Sequence, residues 1–286
     1  MTGIAVGLVL FSAFIHATWN LLAKRVEGGT AFLWLVYLTS ATVYSPLALA
    51  VILVAHPVVG AAGIGFMAGT VFLHTAFFAF LAAGYRAGDL SLVYPIARST
   101  GPFVATIGAI VLYAERPTYL ALAGGLAIVV GAVFLTGDPR RIRAAGSGRA
   151  VGFALLTGLT IATYTLWDKH AVSALAIPPL LYDWSRNLGQ TLLVAPLALR
   201  QRERLGLHWR VHRREVIGVA VLSPLAYILV LTALSVSPVS YVAPLRESGI
   251  LIGALMGTRI LAEEGGRRRV VAAATMAAGI VALAVG

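Results

Sequence analysis

Apolar residues run along this chain in blocks of about 20, separated by short polar connections. Ten blocks can be marked, at 3–23, 31–54, 62–84, 90–113, 118–136, 150–169, 176–199, 215–234, 239–260 and 268–285. As α-helices, each is long enough to cross a hydrocarbon core of roughly 30 Å. The pattern predicts an all-α polytopic membrane protein with ten transmembrane helices. The first block lacks a basic lead-in and a convincing cleavage site, and it is too long for the apolar part of a secretory leader, so it reads as a retained span. Only 137–149 and 200–214 are long connections, and neither could fold separately. Any chemistry must sit within the bundle.

An offset of 148 residues places Trp19 on Trp167, Asn20 on Asp168, Arg98 on Arg246, Gly101 on Gly249 and Glu115 on Glu263, with Ala105 and Ala109 on Gly253 and Gly257. The chain therefore divides into two five-helix repeats, 1–137 and 150–286, joined by a linker at 138–149. Because five is odd, the second repeat enters the membrane from the opposite side and the two are inverted. Two such halves can exchange roles around one midplane site, which is the architecture of alternating access.

Composition narrows the field further. Of 286 residues, 59% are hydrophobic and 12% charged, against roughly a quarter charged in soluble domains. The absence of cysteine excludes disulfides, zinc–cysteine sites, iron–sulfur clusters and thiol nucleophiles. The net charge of +11 comes from arginines lying between apolar segments, which favours a topology signal over a nucleic-acid face. All but five of the 22 lysines and arginines follow odd-numbered spans; Arg116 and Lys169 lie on the other side, and Arg98, Arg186 and Arg246 lie inside spans. The odd-numbered connections are accordingly expected in the cytoplasm and both termini outside. The stretch RQRERLGLHWRVHRR (200–214) reads as a loop on anionic headgroups of that cytoplasmic face.

Arg98 follows Asp89 by nine residues, about 13 Å along a helix, and Arg246 follows Ser240 by six, about 9 Å. A guanidinium at such depth costs at least ~2.5 kcal/mol and should face a wet cavity or a partner. Either these arginines bind substrate or they pair internally with Glu247 and Asp183. Three intramembrane arginines against those two acids leave one positive charge over, which leans the cavity toward anionic or carboxylate-bearing substrates. Asp183, Arg186 and Asn187 share one helical face and can pair among themselves. Glu247, beside Arg246, is the candidate proton carrier and protons the candidate coupling ion. Tyr94, Tyr164, Tyr241, Trp19, Trp167, His16 and His74 are candidate cavity walls. Trp19 and Trp167 could equally be interfacial anchors, and His16 and His74 satisfied bundle histidines. The stripe Gly249, Gly253, Gly257, echoed by Gly101, Ala105 and Ala109, suits close helix packing, and Pro95, Pro102 and Pro244 suit bends beside the arginines. No HExxH, GxSxG or P-loop pattern occurs, and no catalytic residue, cofactor or metal is expected.

The segments HATWNLLAKR (16–25), YPIARSTGP (94–102) with Glu115 before span 5, and YVAPLRES (241–248) resemble the EamA-type branch of the drug/metabolite transporter superfamily. The resemblance covers the whole chain. It implies a multi-pass carrier of the bacterial inner membrane, usually an exporter of amino acids or related small metabolites, with a cavity bordered by spans 1, 3, 4, 6, 8 and 9. It places His16, Tyr94, Arg98, Tyr164, Tyr241, Arg246 and Glu247 near that cavity. Many relatives have both termini in the cytoplasm, the reverse of the orientation expected from the arginines here. A complete repeat pair can work as a monomer or a homodimer, with a small-molecule substrate and no nucleic acid. Two rivals are weaker. Glu263-Glu264, Arg268, His16 and Asn20 echo elements of the glutamic intramembrane proteases, but in reverse order and with the acids at a span edge. Mid-depth arginines with flanking acids suit a binding site better than a continuous channel.

Overall fold

In the computed structural model, residues 1–26, 28–136, 148–261 and 267–286 are described. Among them the chain is all helix and turn: α1 (Gly3–Ala23), α2 (Thr30–Ala55), α3 (Ala61–Ala87), α4 (Leu90–Leu112), α5 (Tyr119–Thr136), α6 (Gly148–Ser173), α7 (Pro179–Leu199), α8 (Arg202–Val211), α9 (Arg213–Val236), α10 (Val239–Arg246), α11 (Ser248–Leu261) and α12 (Arg267–Val285). Six of these, α1, α2, α3, α4, α6 and α9, contain stretches long and apolar enough to cross a membrane, and α5 and α12 carry shorter apolar runs. Large side chains such as Ile4, Val54, Phe72 and Leu192 stay exposed on the bundle's outside. In a bilayer these are lipid-facing, and the chain is a multi-pass membrane protein. Residues 138–147 of the expected linker, and Glu263 and Glu264, lie outside the described residues.

Two elements differ from the sequence reading. The single span expected at 239–260 is two helices meeting at Glu247. Pro244 stands in the last turn of the first, with no N–H to return to the Ser240 carbonyl, and at the break the Glu247 N–H bonds to the Pro244 carbonyl at 3.0 Å, three residues back instead of four. The connection at 200–214 contains a helix, α8. Leu205 packs into the apolar cluster of Phe32, Leu35, Val216 and Val219, and His208 is buried with its ring 6.0 Å from that of Phe32. Leu207, Trp209 and Val211 remain exposed.

Helix contacts fall into corresponding pairs. α1 packs on α9 as α6 packs on α3; α4 lies along α6 as α10 and α11 lie along α1; α2 pairs with α7 and α5 with α12. Small residues set the closest approaches. A Cβ on Gly124 would stand 2.7 Å from the Gly279 carbonyl oxygen, and one on Gly279 would stand 2.6 Å from that of Gly124, so α5 and α12 meet backbone to backbone. The expected packing stripe behaves in the same way: Gly101 abuts Ile161, Gly249 abuts Ala13, and Ala105 and Ala109 are fully buried. Proline-freed carbonyls are met from neighbouring helices. Pro224 cannot donate to Ala220, and Ser40 Oγ donates to that oxygen at 2.9 Å, while Tyr44 Oη donates to Val221 at 2.7 Å.

Candidate functional site

Between α1, α3, α4, α6, α7, α9 and α10 lies a cavity of about 380 Å³. Its deep part is walled by Ser12, His74, Tyr164, Arg186, Tyr227, Val230 and Arg246. It extends past His16, Thr157 and Arg98 to Trp19, Asn20, Tyr85 and Tyr94, which stand where α1 and α3 end and α4 begins. At the opposite end the helices are tied together. The Trp167 indole donates to the Phe66 carbonyl at 2.9 Å, and Phe66 lies between the rings of Trp167 and His170, at 4.2 and 4.9 Å. Lys169 Nζ donates to the Leu234 carbonyl at 2.7 Å and to that of Ser237 at 3.2 Å, capping α9. The Glu115 carboxylate accepts from the backbone N–H groups of Val239 (2.7 Å) and Ser240 (2.9 Å), capping α10. The cavity is therefore open toward one face of the bundle and closed toward the other.

The three arginines of the cavity wall, Arg186 buried and Arg98 and Arg246 partly so, have different company. Arg98 Nε is 2.9 Å from Glu247 Oε2, a charge contact and not an aligned hydrogen bond, and its guanidinium sits 6.0 Å from the Tyr94 ring centre. Arg186 donates to Asp183 Oδ1 through Nε (3.1 Å) and Nη2 (2.5 Å) and to Gln190 Oε1 (2.8 Å), while Asn187 donates to Asp183 Oδ2 (2.9 Å). Both of these charges are cancelled locally. Arg246 makes no ion pair within 4 Å among the described residues. Its guanidinium lies 5.5 Å from the Tyr227 ring centre, on the cavity wall. The Trp19 indole N–H, also at the cavity, has no protein acceptor among the described residues.

Of the residues singled out from sequence, His16, Trp19, His74, Tyr94, Arg98, Tyr164, Arg186 and Arg246 line this one cavity. Glu247 stands behind Arg98 as its counter-charge. Trp167 is engaged with Phe66 at the closed end, and Tyr241 Oη faces the Thr118 N–H (3.4 Å) and the Gly286 carbonyl (3.5 Å) away from the cavity. Sequence reasoning passed over Asp168 and Tyr227. Asp168 is fully buried: Tyr182 donates to its Oδ1 at 2.7 Å, while Tyr227 and His74 Nε2 (3.2 Å) both meet its Oδ2. His74 also stacks on Tyr164 at 4.1 Å. The sixth apolar block ends at 169, which puts Asp168 at its edge, whereas α6 runs on to Ser173 and carries Asp168 inside the bundle. Its match to Asn20 across the repeat was the available signal. This third carboxylate corrects the charge balance: three arginines face three buried acids, and the excess positive charge inferred from two is gone.

The fold and site together are those of an apolar helical bundle enclosing a largely apolar cavity whose wall carries three arginines. Residues 148–285 match the EamA-like transporter family, which bears out the resemblance to EamA-type transporters of the drug/metabolite transporter superfamily over that half of the chain. No curated protein matches the chain. Among solved structures, 28 chains match; one crystal structure aligns over 98% of this chain and 97% of its own at a TM-score of 0.75, with 14% identity, a likeness of fold alone.

Proposed function

We propose that this chain is a secondary carrier moving a small anionic or zwitterionic metabolite, such as an amino acid, by alternating access around the arginine-walled cavity. The observation that carries the reading is the guanidinium of Arg246, presented to the cavity without an acidic partner while Arg98 and Arg186 are neutralised. A partly buried cation in that state is a receptor for a carboxylate, and about 380 Å³ suits a metabolite-sized guest. The corresponding helix pairs support two inverted five-helix repeats, 1–137 and 150–286, able to exchange roles. Placement in the bacterial inner membrane and export as the direction of flux follow from the family resemblance, and the face rich in lysine and arginine is assigned to the cytoplasm.

The test is ligand-induced thermal stabilisation of the purified protein with glutamate, alanine and arginine as probes, repeated on Arg246→Gln. Occupancy stabilises the folded state by RT ln(1 + [L]/Kd), so a probe at 100 times Kd adds about 2.7 kcal/mol. Stabilisation by glutamate or alanine that disappears in Arg246→Gln is the expected result. Stabilisation by arginine alone, or an undiminished response in the variant, would overturn the reading.

A further inference from the structure

Behind the cavity wall, one carboxylate joins four helices. Asp168 of α6 is met by His74 of α3, Tyr182 of α7 and Tyr227 of α9. It has no guanidinium or ammonium within ion-pair distance among the described residues. The charged groups on the surrounding elements are committed elsewhere. Arg98 of α4 is on Glu247, Arg186 of α7 is on Asp183, Arg246 of α10 lies over the Tyr227 ring, and Lys169, next in sequence, turns to the carbonyls ending α9. With a neutral imidazole the cluster carries one negative charge, and the unpaired Arg246 stands from it across the Tyr227 ring, outside ion-pair distance. Such a charge is expensive in a bundle interior, and one proton cancels it, whether held as Asp168 carboxylic acid or as a His74 imidazolium beside the carboxylate.

Glu247 stands in the opposite position. It lies against Arg98, whose guanidinium keeps its charge at any physiological pH, so a proton on Glu247 would strand that cation in the bundle. Histidine is the side chain whose ordinary titration falls in the physiological range. His74 and Tyr227 line the cavity while Asp168 does not, which gives a route from cavity water through the imidazole to the carboxylate.

We propose that the Asp168–His74 couple, and not Glu247, is the proton-binding site of this carrier, an assignment that rests on the carrier reading above. A hydronium ion gives its proton to the couple, an N–H or O–H bond forms and water is left; the reverse step returns the proton to water. Tyr227 transmits the change. Its hydroxyl holds Asp168 and lies 3.3 Å from His74 Nε2, while its ring is flanked by Arg186 at 5.3 Å and Arg246 at 5.5 Å. Protonation weakens the hold of the carboxylate on that hydroxyl, and so loosens the ring that abuts the free guanidinium.

The experiment is a pH-difference infrared titration of the full chain in phosphatidylethanolamine–phosphatidylglycerol vesicles, with histidine isotope-labelled so that imidazolium and protonated carboxyl bands separate. It is run on the native protein, Asp168→Asn, His74→Gln and Glu247→Gln. The native step should persist in Glu247→Gln. In Asp168→Asn its proton affinity should shift by about tenfold or more, one pH unit or over. His74→Gln should lose the imidazolium component and shift what remains by a similar factor, and it keeps the test open if Asp168→Asn fails to fold. Native-like titration of both Asp168→Asn and His74→Gln, or loss of the step in Glu247→Gln alone, would overturn the proposal. Because no substrate is added, the measurement stands even if no probe stabilises the protein and the carrier reading itself fails.

Discussion

Arg98 and Arg246 occupy equivalent positions in the repeat, yet only one of them is free. The difference comes from one neighbour: Glu247 follows Arg246 in sequence but reaches Arg98, so the second half supplies the counter-charge for the first. A buried pair of this kind costs several kcal/mol in desolvation per ion and is strongly destabilised when only one partner is removed. Arg98→Gln and Glu247→Gln should each lower stability by about 3–5 kcal/mol, and the double variant by less than the sum of the two. Denaturant unfolding of all four proteins in detergent measures the coupling; strictly additive losses would dissolve the pair. The arginines were legible in the sequence because a charge within an apolar run stands out. Which of them was free was not, since that depends on where Glu247 points across α4, α10 and the break between helices. Tyr227 had no signal at all, being one more aromatic residue in an apolar helix.

A helix lies at nine of the ten expected apolar blocks, within a few residues at its ends, and six of these helices are long and apolar enough to cross a membrane, where a segment must satisfy its own backbone. The remaining reading, an unbroken span at 239–260, failed at Glu247, just past Pro244, where the backbone bonding steps from four residues to three. α8 was missed because ten residues with arginines interspersed show no continuous apolar block; its helix depends on Leu205 and His208 docking onto the α2–α9 surface. That docking leaves Leu207, Trp209 and Val211 exposed among arginines, the arrangement of an interfacial helix. Trp209→Ser should accordingly reduce the extra thermal stability gained in phosphatidylglycerol over phosphatidylcholine vesicles, with little change in detergent. An equal loss in every medium would assign Trp209 to packing alone. The α5–α12 contact is more rigid, because both approaching groups at Gly124 and Gly279 are backbone. Gly279→Val forces the helices apart and should cost about 1–3 kcal/mol, read as a lower melting temperature, whereas the same change at Gly65, where nothing lies within 4 Å, should leave the melting temperature close to native.

At the scale of the whole molecule, the cavity mouth and the charge asymmetry lie on the same face. Trp19, Asn20, Tyr85 and Tyr94 mark the mouth, and the connections beside it carry Lys24, Arg25 and Arg86, with the arginines of 200–214 on the same side. If positive connections are retained in the cytoplasm, this conformation is open inward, and the ties at the other end are the outer closure. The absence of native cysteine makes the orientation directly measurable. Gly148→Cys, at the start of α6, should react with an impermeant thiol reagent only after cells are permeabilised, while Val58→Cys, 94% exposed before substitution in the α2–α3 connection, should react in intact cells. The reverse pattern would turn the mouth outward and make the tied end the inner closure. Whichever face it occupies, that closure is built from Glu115 on α10 and Lys169 on α9, each contact bridging elements that must separate for the cavity to open there. Glu115→Gln weakens the charged cap by about 0.5–2 kcal/mol and should raise the labelling rate of Ser223→Cys, inside the cavity, from the closed face. A rate that stays at the native value would mean that α10 is held at its start by packing, and that the opening which exchanges the two faces begins elsewhere along the α4–α10 seam.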